Sequence, residues 1–292
     1  MTDIVWLASF PKSGNTWMRV LLNNYTRNCC EPLGINDLEN NVMASSRELF
    51  DDWCGIKSSS LNDSIVESLR PEVYRRLAGT MRDTIFIKVH DAWGGSALSG
   101  EPIFPPSLTR CSIYILRNPL DVATSFAHHL GVSIEDAVER MGDSSSRLGG
   151  GSRRMTDQLS QVIGSWSDHV RSWVDQPDGL THVVRYEDML KSPEAVFREV
   201  VRACGLPFDA DRVCRAVRFS NFDELQRQEL AGGFREKPSA GTGNFFRRGR
   251  AGGWRQELAA HLADQIIRSH GEVMRRFGYL DRDNNPLPYG DE

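Results

Sequence analysis

The chain has 292 residues, 40% hydrophobic and 25% charged, the balance of a soluble globular protein whose core needs no metal or disulfide staple. Its 35 basic and 39 acidic residues leave a net charge of −4, which excludes nucleic-acid binding driven by bulk charge and leaves only local basic clusters. Asp3 beside a short apolar run is not the basic flank of a signal peptide, and no stretch approaches the roughly 20 apolar residues that span a bilayer. Cys29, Cys30, Cys54, Cys111, Cys204 and Cys214 show no C-x-x-C spacing. Reduced thiols and a cytoplasmic location are expected, without nucleic-acid or membrane partners.

In chain order, four short apolar runs rich in β-branched residues read as strands covered on both faces: 4–9, 84–89, 111–116 and 182–186. Apolar residues at helical spacing predict helices over 64–78, 120–130, 155–175, 193–204, 209–217 and 255–277, besides one over 18–25. Strands alternating with helices predict an α/β fold with a central parallel sheet flanked by helices. No composition break divides the chain, so one domain over 1–292 is expected. Two Gly-rich stretches, 143–152 and 231–253, read as mobile loops, and the second carries Arg247, Arg248 and Arg250, a set suited to clamping an anion.

Phe10-Pro11-Lys12-Ser13-Gly14-Asn15-Thr16-Trp17 lies between the first strand and the first helix. A strand, a Gly-containing turn and a helix N-terminus form an anion site, because free amides and the helix dipole point at it. Lys12 adds a full charge, and Ser13, Asn15 and Thr16 add donors. An ordinary turn capped by Ser13 or Asn15 is the bland alternative. The segment is not a Walker A loop, since Lys12 precedes Gly14 and no Gly stands five residues before Lys12.

Ligands of an open parallel sheet sit beyond the carboxyl ends of its strands. The second strand ends in Lys88-Val89-His90, where alternation turns Lys88 and His90 to one side. A histidine suits proton abstraction near neutral pH. The third strand ends in Arg117-Asn118-Pro119, followed by Asp121, read as organising the next helix turn, and Ser125. Arg117 and Ser125 form a second phosphate grip. No cluster of Asp, His or Cys calls for a metal.

These residues resemble the PAPS-dependent sulfotransferases, which use 3′-phosphoadenosine 5′-phosphosulfate (PAPS). The 5′-phosphosulfate loop is matched by Phe10 to Trp17, the catalytic strand end by Lys88-Val89-His90, and the 3′-phosphate segment by Arg117 to Ser125. Tyr186-Glu187-Asp188, Ser220-Asn221-Phe222 and Arg247-Arg248-Gly249 through Trp254-Arg255 match later segments in the same order. Val89, Arg248 and Arg255 depart from the family's Thr and Lys. The resemblance implies a P-loop-like nucleotide-binding fold in which Lys12, Ser13, Gly14, Asn15, Thr16, Trp17, Arg117, Ser125, Tyr186, Ser220, Phe222, Phe246, Arg247, Arg248 and Gly249 bind the cofactor. It further implies catalysis by His90 as general base with Lys12 and Lys88. Sulfonate would pass to a hydroxyl or amine of a small molecule without metal, leaving adenosine 3′,5′-bisphosphate.

The Gly164-Ser165-Trp166 to Trp173 segment resembles bacterial small-molecule sulfotransferases, including those that tailor glycopeptides. No Lys-Thr-Val-Glu dimerisation segment is present near the C-terminus, and both a monomer and a homodimer fit. Acceptor choice is expected from loops 28–60, 91–106 and 128–156, with Trp93, Phe104, His128 and His129 either lining the acceptor or packing. An ATP-dependent P-loop kinase for small molecules and a non-catalytic nucleotide sensor are the alternatives.

Overall fold

The computed structural model describes residues 3–38, 42–149, 156–177, 179–237 and 243–288. Parts of both predicted mobile stretches (150–152 and 238–242), the start of the predicted 155–175 helix and residues 39–41 and 153–155 of the predicted acceptor loops lie outside them. The chain gathers into two units, Met1–Phe10 with Asn40–Tyr114 and Ser144–Val183, and Pro11–Glu39 with Ile115–Asp143 and Val184–Glu292.

The first unit is built on a sheet. Strand β1 (Ile4–Ala8) is central, in the order β2-β3-β1-β4-β7, with β2 (Val42–Met43), β3 (Ile85–Val89), β4 (Thr109–Leu116) and β7 (Thr181–Arg185). β1 pairs in parallel with β3 and β4, Ala8 facing Val89 on one side and Tyr114 on the other. All five β1 residues are buried, as expected of a strand covered on both faces. β7 stands at the sheet edge and is half-buried for most of its length. Helices α2 (Arg47–Cys54), α3 (Asp63–Thr80) and α6 (Trp166–Val174) belong to this unit. So does the small antiparallel pair β5 (Arg147–Leu148) and β6 (Gln161–Val162).

The second unit is helical: α1 (Asn15–Arg27), α4 (Pro119–Leu130), α5 (Ile134–Gly142), α7 (Tyr186–Lys191), α8 (Pro193–Ala203), α9 (Ala210–Phe219), α10 (Phe222–Gly232), α11 (Trp254–Glu257) and α12 (Ala260–Arg276). The signals that bound α4 are local. Asn118 caps it by accepting from the Leu120 amide, Pro119 takes the first helical position, and Gly131 ends it in the left-handed region. No helix among the described residues is long and apolar enough to cross a membrane.

Several boundaries differ from expectation. The predicted 155–175 helix starts only at Trp166, because Ser165 caps it by accepting from the Asp168 amide, and residues 161–162 are β6. The predicted 255–277 helix is two, interrupted at Leu258 and Ala259, which are extended. Tyr186 opens a helix instead of ending a strand. Arg147 and Leu148, inside a predicted mobile loop, form β5. Helices α2, α5, α7 and α10 were not expected. α10 carried an overlooked signal, since Asn221 accepts from the Glu224 amide at 2.9 Å in an Asn-x-x-Glu cap.

Candidate active site

The turn after β1 is built for close approach. Lys12 sits in the left-handed region at φ 67° and Gly14 at φ 106°. Glycine is the N-cap of α1, so neither Ser13 nor Asn15 caps that helix. Ser13 is 1% exposed, and its Oγ has no hydrogen-bond partner among the described residues. A buried hydroxyl left unmatched costs free energy unless a ligand meets it. A Cβ on Gly14 would lie 2.7 Å from the Tyr186 ring, which backs the turn. The same ring lies edge-on to Trp17, with centroids 5.7 Å apart. The Lys12 ammonium sits 3.7 Å from the Phe245 ring centroid.

Arg117, just past β4, joins this turn to a second cationic arm. Its Nη1 donates to the Lys12 carbonyl at 3.0 Å and its Nη2 to the Arg250 carbonyl at 3.2 Å. Its guanidinium stacks on Tyr186 at 4.4 Å, and its buried Nε has no hydrogen-bond partner among the described residues. Asp121 does not organise its own helix turn, where Asn118 is the cap. It accepts from the amides of Gly252 and Trp254, at 2.7 and 2.9 Å, and so fixes the arm. Buried Glu229 fixes the arm's other end by accepting from the Phe246 amide at 2.8 Å. Ser125, half-buried, lies one turn after Asp121 on α4.

Gly249 has φ 58°, and a Cβ there would fall 2.1 Å from the Phe222 ring. Phe246 is buried among Val20, Leu225 and Phe234, with Trp17 and Phe222 against the same cluster. Ser220 is fully buried and accepts from Asn24 at 3.1 Å. Arg247 Nη1 donates to both oxygens of Glu257, at 3.0 and 2.9 Å, and Arg248 pairs with the same carboxylate. His128 Nε2 reaches Glu257 at 3.3 Å, and the His129 ring faces Phe245. Glu187, buried, accepts from the Asn118 amide and the Tyr279 hydroxyl, both at 2.9 Å. Burial raises its pKa despite these bonds.

In the first unit His90 follows β3. Its Nδ1 lies 2.8 Å from the Ser9 carbonyl. A carbonyl only accepts, so Nδ1 carries the proton and Nε2 is the basic nitrogen of the neutral ring. The strand's alternation leaves Phe86 and Lys88 half-buried on one face, while Ile85, Ile87 and Val89 are buried on the other.

Helix α6 holds the backbone after His90. Its buried stripe Trp166, His169, Val170 and Trp173 follows helical spacing. His169 Nε2 donates to the His90 carbonyl at 3.1 Å, Trp173 Nε1 to the Asp91 carbonyl at 2.9 Å, and Ser172 Oγ accepts from the Trp93 amide at 3.0 Å. Arg70 forks onto Asp91 at 2.7 and 2.9 Å, both side chains being buried. Phe104 is fully buried among Trp6, Tyr74, Trp93 and Trp173, so it packs the core. His169, Glu229 and Glu257 escaped the sequence reading. A histidine in an apolar stripe reads as packing, and isolated glutamates carry no spacing signal.

The family model described as the sulfotransferase domain matches residues 2–278. The flavonol 3-sulfotransferase of Flaveria bidentis is 22% identical, over 94% of this chain and 83% of its own length. The fold is similar to that of a mouse sulfotransferase complexed with PAP, with a TM-score of 0.58 and 19% identity over 94% of this chain and 85% of the other. It is likewise similar to retinol dehydratase in a complex with retinol and PAP, with a TM-score of 0.61 and 18% identity over 99% of this chain and 84% of the other.

Proposed function

The chain belongs to the sulfotransferase family, and on that premise we propose that it moves the sulfonate of PAPS to a hydroxyl or amine of a small-molecule acceptor. The bond from sulfur to the acceptor atom forms as the bond from sulfur to the 5′-phosphate oxygen breaks. His90 Nε2 takes the acceptor's proton, a role worth about 10²–10⁴ in rate. Lys12 and the amides opening α1 meet the charge that grows on the leaving phosphate, and Lys88 steadies the sulfonate oxygens. Arg117, Ser125, Arg247 and Arg248 take the 3′-phosphate. Phe222 and Phe246, with Trp17, Tyr186, Ser220 and Gly249, shape the nucleotide's place. The product is adenosine 3′,5′-bisphosphate, and the residues named need no metal for these roles.

The observation that carries this reading is Arg117, whose one guanidinium ties the Lys12 turn to the arm bearing Arg247 and Arg248. Two anion grips joined in this way fit a nucleotide phosphorylated at both ends of its ribose, whereas the alternative, ATP, has one chain of phosphates. The proposal includes one sulfotransferase domain over 1–292, the family match running through both units. It also includes a cytoplasmic setting, supported by six cysteines none of which is held in a disulfide, and the tailoring of bacterial small molecules, supported by the Gly164–Trp173 pattern. Calorimetric titration tests the site. Adenosine 3′,5′-bisphosphate should bind far more tightly than adenosine 5′-phosphate, by roughly 1.5–3 kcal/mol for each charge-assisted bond to the extra phosphate. Equal affinities would remove the two-grip reading. Transfer of ³⁵S from labelled PAPS across an acceptor library then separates sulfonate from phosphate transfer.

A further inference from the structure

Glu257 ends α11, a helix whose first amide, that of Trp254, is held by Asp121. Its carboxylate is 16% exposed and lies against three side chains of cationic type: Arg247, Arg248 and His128. Arg247 gives both carboxylate oxygens a single nitrogen, Nη1. The strong fork, in which two guanidinium nitrogens meet two oxygens, is not formed. Burial alone would raise the pKa of Glu257, but hydrogen bonds and charge from Arg247, with help from His128 and Arg248, bring it below the ordinary carboxylate range. The group is an anion at neutral pH.

We propose that Glu257 sets how strongly this chain holds the 3′-phosphate of its nucleotide, by acting as an internal anion on Arg247 and Arg248 that the phosphate must share or displace. The inference rests on the reading that these two arginines meet that phosphate. Two neighbouring guanidinium groups repel each other when no anion lies between them, and Glu257 removes that repulsion. The pair and the carboxylate carry a net charge of +1, where the pair alone would carry +2. The same carboxylate repels an arriving phosphate and competes for its donors, so it lowers affinity for a nucleotide that must leave after each turnover. Arg117, by contrast, donates its hydrogen bonds to the backbone carbonyls of Lys12 and Arg250.

The test is calorimetry on the full chain and on Glu257→Gln, which keeps the side chain's shape and removes its charge. Adenosine 3′,5′-bisphosphate should bind the variant about tenfold or more tightly, a change equal to roughly one relieved charged contact. Adenosine 5′-phosphate, which lacks the group at issue, should change less than twofold. Bisphosphate binding that is unchanged or weaker in the variant would overturn the proposal and leave Glu257 a scaffold for the arginines. An unmodified chain that does not prefer the bisphosphate would instead fail the two-grip reading, before any variant is made. Should Glu257→Gln fold poorly, Glu257→Ala is read the same way, by the rise in melting temperature that the bisphosphate gives each protein. A smaller rise for the variant than for the parent would also overturn the proposal.

Discussion

The ring of His169 donates Nε2–H to the carbonyl of His90 at 3.1 Å while its Nδ1 accepts from the Tyr114 hydroxyl at 2.8 Å. Both nitrogens are committed, so one neutral tautomer is fixed in the core. His169 therefore positions the backbone of the proposed base without touching the reacting atoms.

Replacing His169 by Phe fills its volume but leaves the His90 carbonyl and the Tyr114 hydroxyl without these bonds, at a cost of about 1–3 kcal/mol for each group left unsatisfied. Single-turnover sulfonate transfer should fall at least tenfold with nucleotide affinity nearly unchanged. His169→Gln, which can return a donor to the carbonyl, should recover part of the rate. Equal rates in the two variants would mean that the bond to His90 does not matter.

Acid should weaken the fold through the same ring. Burial lowers the His169 pKa from 6.5 to about 4, against smaller opposing effects of the His90 carbonyl and Asp91. Between those values the unfolded chain binds a proton that the folded chain refuses. Stability from this source is fully present above pH 6.5 and is lost as pH falls towards 4, to the extent of roughly 3 kcal/mol. Urea unfolding at pH 7 and pH 4.5 should show the parent losing more stability on acidification than His169→Gln.

His90→Ala should nearly abolish turnover yet bind adenosine 3′,5′-bisphosphate within a few-fold of the parent. Lys12→Ala should damage both, because the proposed role of that ammonium is to meet the cofactor before and during transfer. An active His90→Ala protein would move the search to another base. His128 is a poor substitute, being engaged with Glu257.

Asp91→Asn leaves the fully buried Arg70 guanidinium without its charge partner. Burial works to lower the Arg70 pKa, but Asp91 and Tyr74 raise it above the ordinary value, so the group stays charged. Breaking such a pair costs roughly 3–5 kcal/mol, whereas replacing both members with Arg70→Met and Asp91→Leu should cost less. Denaturant unfolding of the single and double variants checks this, and a double variant no better than Asp91→Asn would count against it.

Gly249→Ala would place a methyl 2.1 Å from the Phe222 ring at φ 58°, strained on both counts. The arm can relieve this only by shifting, so nucleotide affinity should drop about tenfold or more, on the scale of one lost charge-assisted contact. Titration with adenosine 3′,5′-bisphosphate measures it, and parental affinity would show that the arm tolerates the shift.

Strands β1, β3, β4 and β7 were legible in the amino-acid order to within two residues at each end, because short runs rich in β-branched residues have few other uses, whether buried throughout like β1 or half-buried at an edge like β7. The order of the segments proposed to grip anions was legible there too, since turn glycines, a helix start and a lysine act on one another over a few residues. The pairings across long separations were not legible in the same way. Glu257 against Arg247 and Arg248, Asp121 against the Gly252 and Trp254 amides, and His169 against His90 leave no periodic trace. Each depends on where two distant pieces of backbone come to rest. The cost of an unmatched buried donor or acceptor then makes the partner obligatory, but only once packing has chosen which groups are buried together.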